Sequence, residues 1–151
     1  MAALKDFIAR FFGGPSPAQQ GLDPAELEAD WLIIGLGNPG AKYAATRHNA
    51  GVLVLEELLD RERARLSVHK KTNTEVAELS GGRVLARTRG YMNVSGGPVK
   101  ALAGYYKASP AEIYVIYDEL DLGFGEVSLR VGGGDHGHNG LKSVSASLGT
   151  R

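Results

Sequence analysis

Apolar and polar positions along this chain follow two periods, one of strands and one of helices. Residues 31–36, WLIIGL, are a continuous apolar run stopped by GNPG, the pattern of a buried strand ending in a tight turn. Val52, Leu53, Leu55, Glu56, Leu58 and Leu59 fall at helical spacing and predict an amphipathic helix over about 50–65. TEVAELSGGRVLARTRG alternates on both sides of Ser80-Gly81-Gly82, which predicts a hairpin. A second helix is expected from about Gly96 to Ala108, with Pro98 in its first turn, where a missing N–H costs little. EIYVIYDELD predicts a buried strand ending at Asp118, and GEVSLRVGGG a further strand. NGLKSVSASLG predicts a last helix with Gly149 as its stop. Strands and helices alternate, so the expected class is α/β: a mixed, largely parallel twisted sheet flanked by helices in a single domain.

The two ends read differently. Leu4, Phe7, Ile8 and Phe11 suit a short amphipathic helix over 3–12, and GGPSPAQQGLDP reads as a linker. Residues 1–30 are therefore taken as an N-terminal extension and linker, and 31–151 as the folded domain. The last helix should lead into another strand, yet the chain stops at Gly149-Thr150-Arg151. The domain is accordingly expected to be truncated at its C-terminus.

A length of 151 residues suits one core, and 43% hydrophobic with 23% charged residues is ordinary for a globular protein. Cysteine is absent, which excludes disulfides and thiolate metal sites. No apolar run approaches the roughly 20 residues of a membrane span, and Asp6 and Arg10 interrupt the N-terminal stretch, so it lacks a signal-peptide core. A cytoplasmic protein without membrane partners is expected. The formal net charge is zero, but the charge is blocked. Arg83, Arg87, Arg89, Lys100 and Lys107 lie in a stretch without acids, followed by Glu112, Asp118, Glu119, Asp121 and Glu126 without bases. Two separately solvated faces would explain this, and so would a basic face for a few phosphates.

Gly35, Gly37 and Gly40 fit the G-x-G-x-x-G spacing of a dinucleotide cradle. That motif should run straight into a helix, whereas Pro39 sits inside the pattern and about nine residues separate Gly40 from the helix. No strand ending in an acid follows about 20 positions on, since Asp60 and Glu62 belong to the helix. The polar groups at the strand ends are more informative, because open α/β sheets bind ligands there. Four junctions would gather His48, Asp118, Asn93, His138 and Asn139 into one cleft, with Asn38 in the first turn. A histidine paired with a carboxylate is a general-base unit, and asparagine amides can hold water or stabilise an oxyanion. No serine, threonine or cysteine occupies an elbow motif, which leaves water as the nucleophile. His48, His136 and His138 could alternatively ligate zinc with Asp118, although no HExxH-type motif supports it. The triple glycine before the last helix serves as a flexible turn or admits a phosphate.

GLGNPGAKYAATRHNAG, YMNVSG, YDELDLGFG and GGGDHGHNGLKS together closely resemble the bacterial peptidyl-tRNA hydrolase family. The resemblance covers about residues 31–151 and rests on four separated motifs in order. It implies hydrolysis of the ester joining a peptide to the 3′ ribose of tRNA, which recycles tRNA from aborted translation. It also implies His48 as the general base that activates water and Asp118 as its support. Asn38 matches the residue that discriminates blocked from free aminoacyl groups, while Asn93 and Asn139 match positions that hold substrate and water. Tyr43 and Tyr91 match contacts to the tRNA end, Arg130 a basic position near the tRNA 5′ phosphate, and His138 a common active-site histidine. No cofactor or metal is implied; the partner is peptidyl-tRNA, and a monomer is expected.

Two departures stand out. The chain has DHGHNG where many members have HGGHNG, which places Asp135 and His136 beside the presumed phosphate region. Tyr91 replaces the more usual phenylalanine. The family also continues past this end with another strand, further basic residues and a C-terminal helix. A non-catalytic RNA-binding or splicing-partner relative of the same fold is the alternative reading.

Overall fold

The computed structural model describes residues 30–150. The helix expected over 3–12 and the linker after it lie outside the described residues. The elements are β1 (Trp31–Gly35), α1 (Ala50–Arg61), β2 (Ser67–His69), β3 (Thr74–Leu79), β4 (Arg83–Thr88), α2 (Gly96–Tyr105), β5 (Ile113–Ile116) and α3 (Asn139–Leu148). The strands form one five-stranded mixed sheet in the order β2-β3-β4-β1-β5. β1 runs parallel to β4 and to β5, with Gly35 opposite Arg87 on one side and Ile116 on the other. β3 is antiparallel to β2 and to β4, and begins with Thr74 opposite Thr88.

β1 is an unbroken apolar run because both of its faces are covered. Side chains alternate across a strand, and the packing divides accordingly. Leu32 and Ile34 join Val99, Leu102, Ala103 and Tyr106 at α2, and Val144 of α3, in one core. Ile33 faces the other way and joins Leu55, Leu58 and Leu59 of α1. Registry brings the C-terminal ends of β1, β4 and β5 to one edge of the sheet. β3 starts at that same edge, so the β2–β3 connection lies there as well.

Gly51 sets the height of α1 over this edge. A Cβ at that position would lie 2.1 Å from the Ile116 carbonyl oxygen and 2.8 Å from the Leu36 amide nitrogen. Those two groups are themselves hydrogen-bonded at 3.0 Å, across the ends of β1 and β5. Glycine is needed here for close approach of backbone to backbone. Gly149 ends α3 in the left-handed conformation at φ 69°, as expected of a glycine stop.

The strand expected within 125–134 does not form; residues 126–130 are irregular. Its alternating pattern is present, but a strand exists only as half of a hydrogen-bonded ladder, and the outer edge of β5 has no partner among the described residues. Val127, Leu129 and Val131 are exposed as a result. Two smaller corrections concern boundaries. β5 ends at Ile116, two residues before Asp118, and β4 ends at Thr88, so Met92 and Asn93 belong to a separate 3-10 turn, Met92–Val94. β2 was not foreseen.

Two outcomes are expected. Gly51→Ala should lower stability by about 1–3 kcal/mol, the range for overpacked sites, read from denaturant unfolding. Tyr106 is buried and its hydroxyl donates to Glu78 Oε1 at 2.8 Å. Burial first, then the Glu78 bond and charge, hold its ionisation well above the ordinary tyrosine range. A folded-state pKa above the unfolded value contributes stability that is complete below pH ~10 and is lost as pH rises from there. The fall in melting temperature above pH ~10 should therefore be shallower in Tyr106→Phe than in the parent. Parallel curves would remove Tyr106 from the alkaline transition.

Candidate active site

Three elements meet over one carboxylate oxygen at the C-terminal edge of the sheet. His48 lies in a 3-10 turn, Arg47–Asn49, that feeds directly into α1. Asp118 follows β5, and its side chain is 10% exposed. His138 is the N-cap residue of α3 and is buried. His48 Nδ1 lies 2.7 Å from Asp118 Oδ1, and His138 Nε2 lies 2.9 Å from the same atom. The two imidazoles also face each other, with ring centroids 4.7 Å apart, and the Tyr117 ring stands edge-on to His138 at 5.1 Å.

The partners fix the tautomers. His138 Nδ1 accepts the Leu141 backbone N–H at 3.2 Å, so this nitrogen carries a lone pair and Nε2 carries the proton. His138 Nε2–H therefore donates to Asp118. His48 Nδ1–H donates to the same carboxylate oxygen, which leaves His48 Nε2 with its lone pair and no partner among the described residues. The His48 side chain is 38% exposed. Asp118 is thus a nearly buried carboxylate made tolerable by two N–H donors.

Asn38 is built in from the other side. Its backbone N–H donates to Asn49 Oδ1 at 2.8 Å, and Asn49 Nδ2 donates back to its carbonyl at 2.9 Å. Its side-chain Oδ1 accepts the Met92 N–H at 2.7 Å, which orients the amide and leaves Nδ2 without a partner among the described residues. One asparagine thus joins the β1 turn to the Met92–Val94 turn. Asn49 stands at the N-cap position of α1, but its side chain makes no cap bond and holds this turn instead. Nothing in the RHN triplet separates the two uses, because a cap and a cross-turn clamp need the same short amide.

The remaining expected residues line the rim. Asn93 and Asn139 are exposed, and their side chains make no hydrogen bond among the described residues. Tyr91 is 58% exposed at the start of the Met92–Val94 turn, and Tyr43 is half-buried in the turn before His48 with Lys42 Nζ 5.4 Å from its ring centroid. Arg130 contacts the Tyr117 hydroxyl and His136 Nε2, and lies 3.7 Å from Glu119 Oε2. Tyr117 and Glu119 flank Asp118 in sequence, so Arg130 belongs to the neighbourhood of the site, although no sequence signal distinguished its partners. Gly140 allows α3 to sit this close, since a Cβ there would meet Met92 Sδ at 2.4 Å.

His136 is directed to Arg130 and Glu119 rather than to the histidine pair, so the set of three histidines considered for zinc does not assemble. His48, Asp118 and His138 do place ligand atoms within 4.8 Å of one another. A metal at His138 Nε2 would require that nitrogen deprotonated and the proton moved to Nδ1. Nδ1 already accepts the Leu141 N–H, so ligation would cost the cap of α3.

Comparison with known proteins accords with this arrangement. A family model described as peptidyl-tRNA hydrolase matches residues 32–151. The chain belongs to the peptidyl-tRNA hydrolase family. A peptidyl-tRNA hydrolase of Corynebacterium efficiens is 59% identical over 120 residues, covering 80% of this chain and 67% of the relative. One of Mycobacterium bovis is 53% identical over 123 residues, covering 80% and 64%. Among solved structures, a peptidyl-tRNA hydrolase of Acinetobacter baumannii superposes with a TM-score of 0.75 at 37% identity, covering 83% of this chain and 64% of that one. The chain thus spans about two thirds of the length of these family members.

With His138 Nδ1 committed to the cap of α3, one equivalent of zinc, or excess EDTA, should leave the melting temperature unchanged. A rise of several degrees with zinc, as ligand linkage would produce, would show that the His138 tautomer is not held.

Proposed function

We propose that the chain hydrolyses the ester between a peptide, or an N-blocked aminoacyl group, and the 3′ ribose of tRNA. The observation that carries this reading is the convergence of His48 and His138 on Asp118 Oδ1, which leaves His48 Nε2 as the one basic nitrogen of the pair without a partner among the described residues. Family membership supports it, as does the placement of Asn38, Asn93 and Asn139 around the same edge.

In the proposed reaction His48 Nε2 takes a proton from water as the oxygen attacks the ester carbonyl carbon. The imidazolium so formed is stabilised by Asp118, which also holds the ring in the productive tautomer. Collapse of the tetrahedral intermediate breaks the bond to the ribose 3′ oxygen, which leaves with the proton returned from His48. The products are a peptide acid and a free tRNA 3′ hydroxyl. His138 acts as a positioning residue, because one of its nitrogens is committed to the start of α3 and the other to Asp118.

Asn38 Nδ2 is oriented to meet an amide carbonyl of the blocked aminoacyl group, which provides a basis for selecting blocked substrates. Asn93 and Asn139 hold substrate and the attacking water, and Tyr43 and Tyr91 offer faces to the terminal bases. Arg130 meets a tRNA phosphate. The setting is the cytoplasm, with the chain working as a monomer on peptidyl-tRNA; among the described residues no helix is long and apolar enough to cross a membrane.

Incubation with N-acetylaminoacyl-tRNA tests the reading directly. Ester cleavage is expected from the parent, and a loss of about 10² to 10⁴ in kcat from His48→Ala. Asp118→Asn keeps the shape but lets the amide select the wrong tautomer, and a loss of the same order, about 10² to 10⁴, is expected. Deacylated tRNA should bind all three proteins alike. Binding without turnover in the parent would favour the RNA-binding relative, and full activity in Asp118→Asn would dissolve the proposed pair.

A further inference from the structure

The arginines of the sheet and of α1 are mostly matched to carboxylates. Arg83 pairs with Glu62 at 2.9 Å, Arg87 with Glu75 at 2.6 Å, and Arg61 with Glu57 at 3.1 Å. Lys70, Lys71 and Arg89 are different: all three are exposed, and none pairs with a carboxylate among the described residues. They are also neighbours. Lys70 and Lys71 form the 3-10 turn Lys70–Thr72 between β2 and β3, and Arg89 follows β4, its backbone N–H donating to the Asn73 carbonyl at 3.1 Å. Glu75, the nearest acid in sequence, is already held by Arg87.

The turn that carries the lysines is preformed. Thr72 is buried, and its hydroxyl bonds Thr74 Oγ1 at 2.7 Å and His69 Nδ1 at 2.7 Å. Asn73 then reverses the chain in the left-handed conformation at φ 53°. The His69 ring packs on Tyr105 of α2 with centroids 4.4 Å apart. Two lysines are therefore held on a rigid corner, which reduces the backbone ordering that anion binding would otherwise require.

The corner shares its edge of the sheet with the candidate active site. From β5, which leads to Asp118, the order runs through β1 and β4 to β3 and then β2. At about 4.8 Å per strand the cations stand roughly 15–20 Å from the carboxylate. A stacked nucleic-acid strand advances about 3.4 Å per nucleotide, so this distance corresponds to on the order of five nucleotides. Tyr91, exposed, follows Arg89 by two residues and lies on the way.

We propose that Lys70, Lys71 and Arg89 form a phosphate-binding corner that takes the sugar–phosphate backbone of the RNA several nucleotides from the scissile ester. The proposal rests on the reading of the chain as acting on tRNA, and assigns it a second contact region on the far side of Tyr91 from His48. The chemistry is that of charge neutralisation, without base selectivity.

The test compares the parent with the variant K70Q/K71Q/R89Q on two substrates. One is N-acetylaminoacyl-tRNA; the other is the same aminoacyl ester on a CCA trinucleotide, too short to reach the corner. With the full tRNA, KM is expected to rise about tenfold at unchanged kcat, and the slope of log kcat/KM against log salt to flatten by about two units. With the trinucleotide, variant and parent should match. The charge-preserving variant K70R/K71R should behave as the parent on both, which separates charge from shape. Equal KM and equal salt slope on the full tRNA would overturn the corner, as would an equal loss on the trinucleotide. Salt-dependent binding of deacylated tRNA, followed by fluorescence anisotropy, gives a readout independent of hydrolysis. If the parent cleaves neither substrate, the hydrolase reading fails, and the corner stands or falls on whether this binding slope flattens in the variant.

Discussion

A single oxygen atom, Asp118 Oδ1, ties together the C-terminal edge of the sheet. It accepts from His48 Nδ1 and from His138 Nε2, at 2.7 and 2.9 Å. A carboxylate so nearly buried would be costly without donors, and the fold supplies them from two elements far apart in sequence. His48 comes from the turn before α1, whose height is fixed by the approach of Gly51 to the ends of β1 and β5. His138 comes from the N-cap of α3, and the start of that helix consumes its second nitrogen. Removing either histidine would leave the other to balance the charge alone.

The same economy appears around Asn38. Its backbone is clamped by Asn49 and its side-chain Oδ1 by the Met92 N–H, so one half of the side chain is spent on structure and the other half has no partner among the described residues. His48 is divided in the same way, with Nδ1 anchored and Nε2 available. For Asn38 and His48, orientation is obtained by committing one end of the side chain, which limits the rotamer entropy lost when a ligand arrives.

Much of this was visible in the chain itself, for identifiable reasons. β1 could be read because a strand covered on both faces has to be apolar throughout, and α1 because one face of a helix has to be apolar at 3.6-residue spacing. The gathering of His48, Asn38, Asp118 and His138 followed from the rule that ligands meet the C-terminal ends of parallel strands. What could not be read depended on neighbours. Ser67–His69 is three residues long and largely exposed, so no period marks it as a strand. The alternation within 125–134 is genuine, but a ladder needs a second strand and the pattern cannot supply one. The shared use of Asp118 by two histidines, and the use of Asn49 as a clamp rather than a cap, depend on distances that spacing does not contain.

The two cores give the site a mechanical character. α1, bearing His48 at its entrance, packs on the Ile33 face of the sheet, while Val144 of α3, the helix capped by His138, packs on the Leu32 and Ile34 face. Asp118, two residues past the end of β5, is therefore a tether between the two layers, beside the contact that the His48 and His138 rings make with each other. Sliding one layer along the strand direction would stretch one of its hydrogen bonds before disturbing the other. The His48 ring can stay aligned only while both layers keep step, so the alignment of a single imidazole is inherited from the stiffness of the whole sandwich.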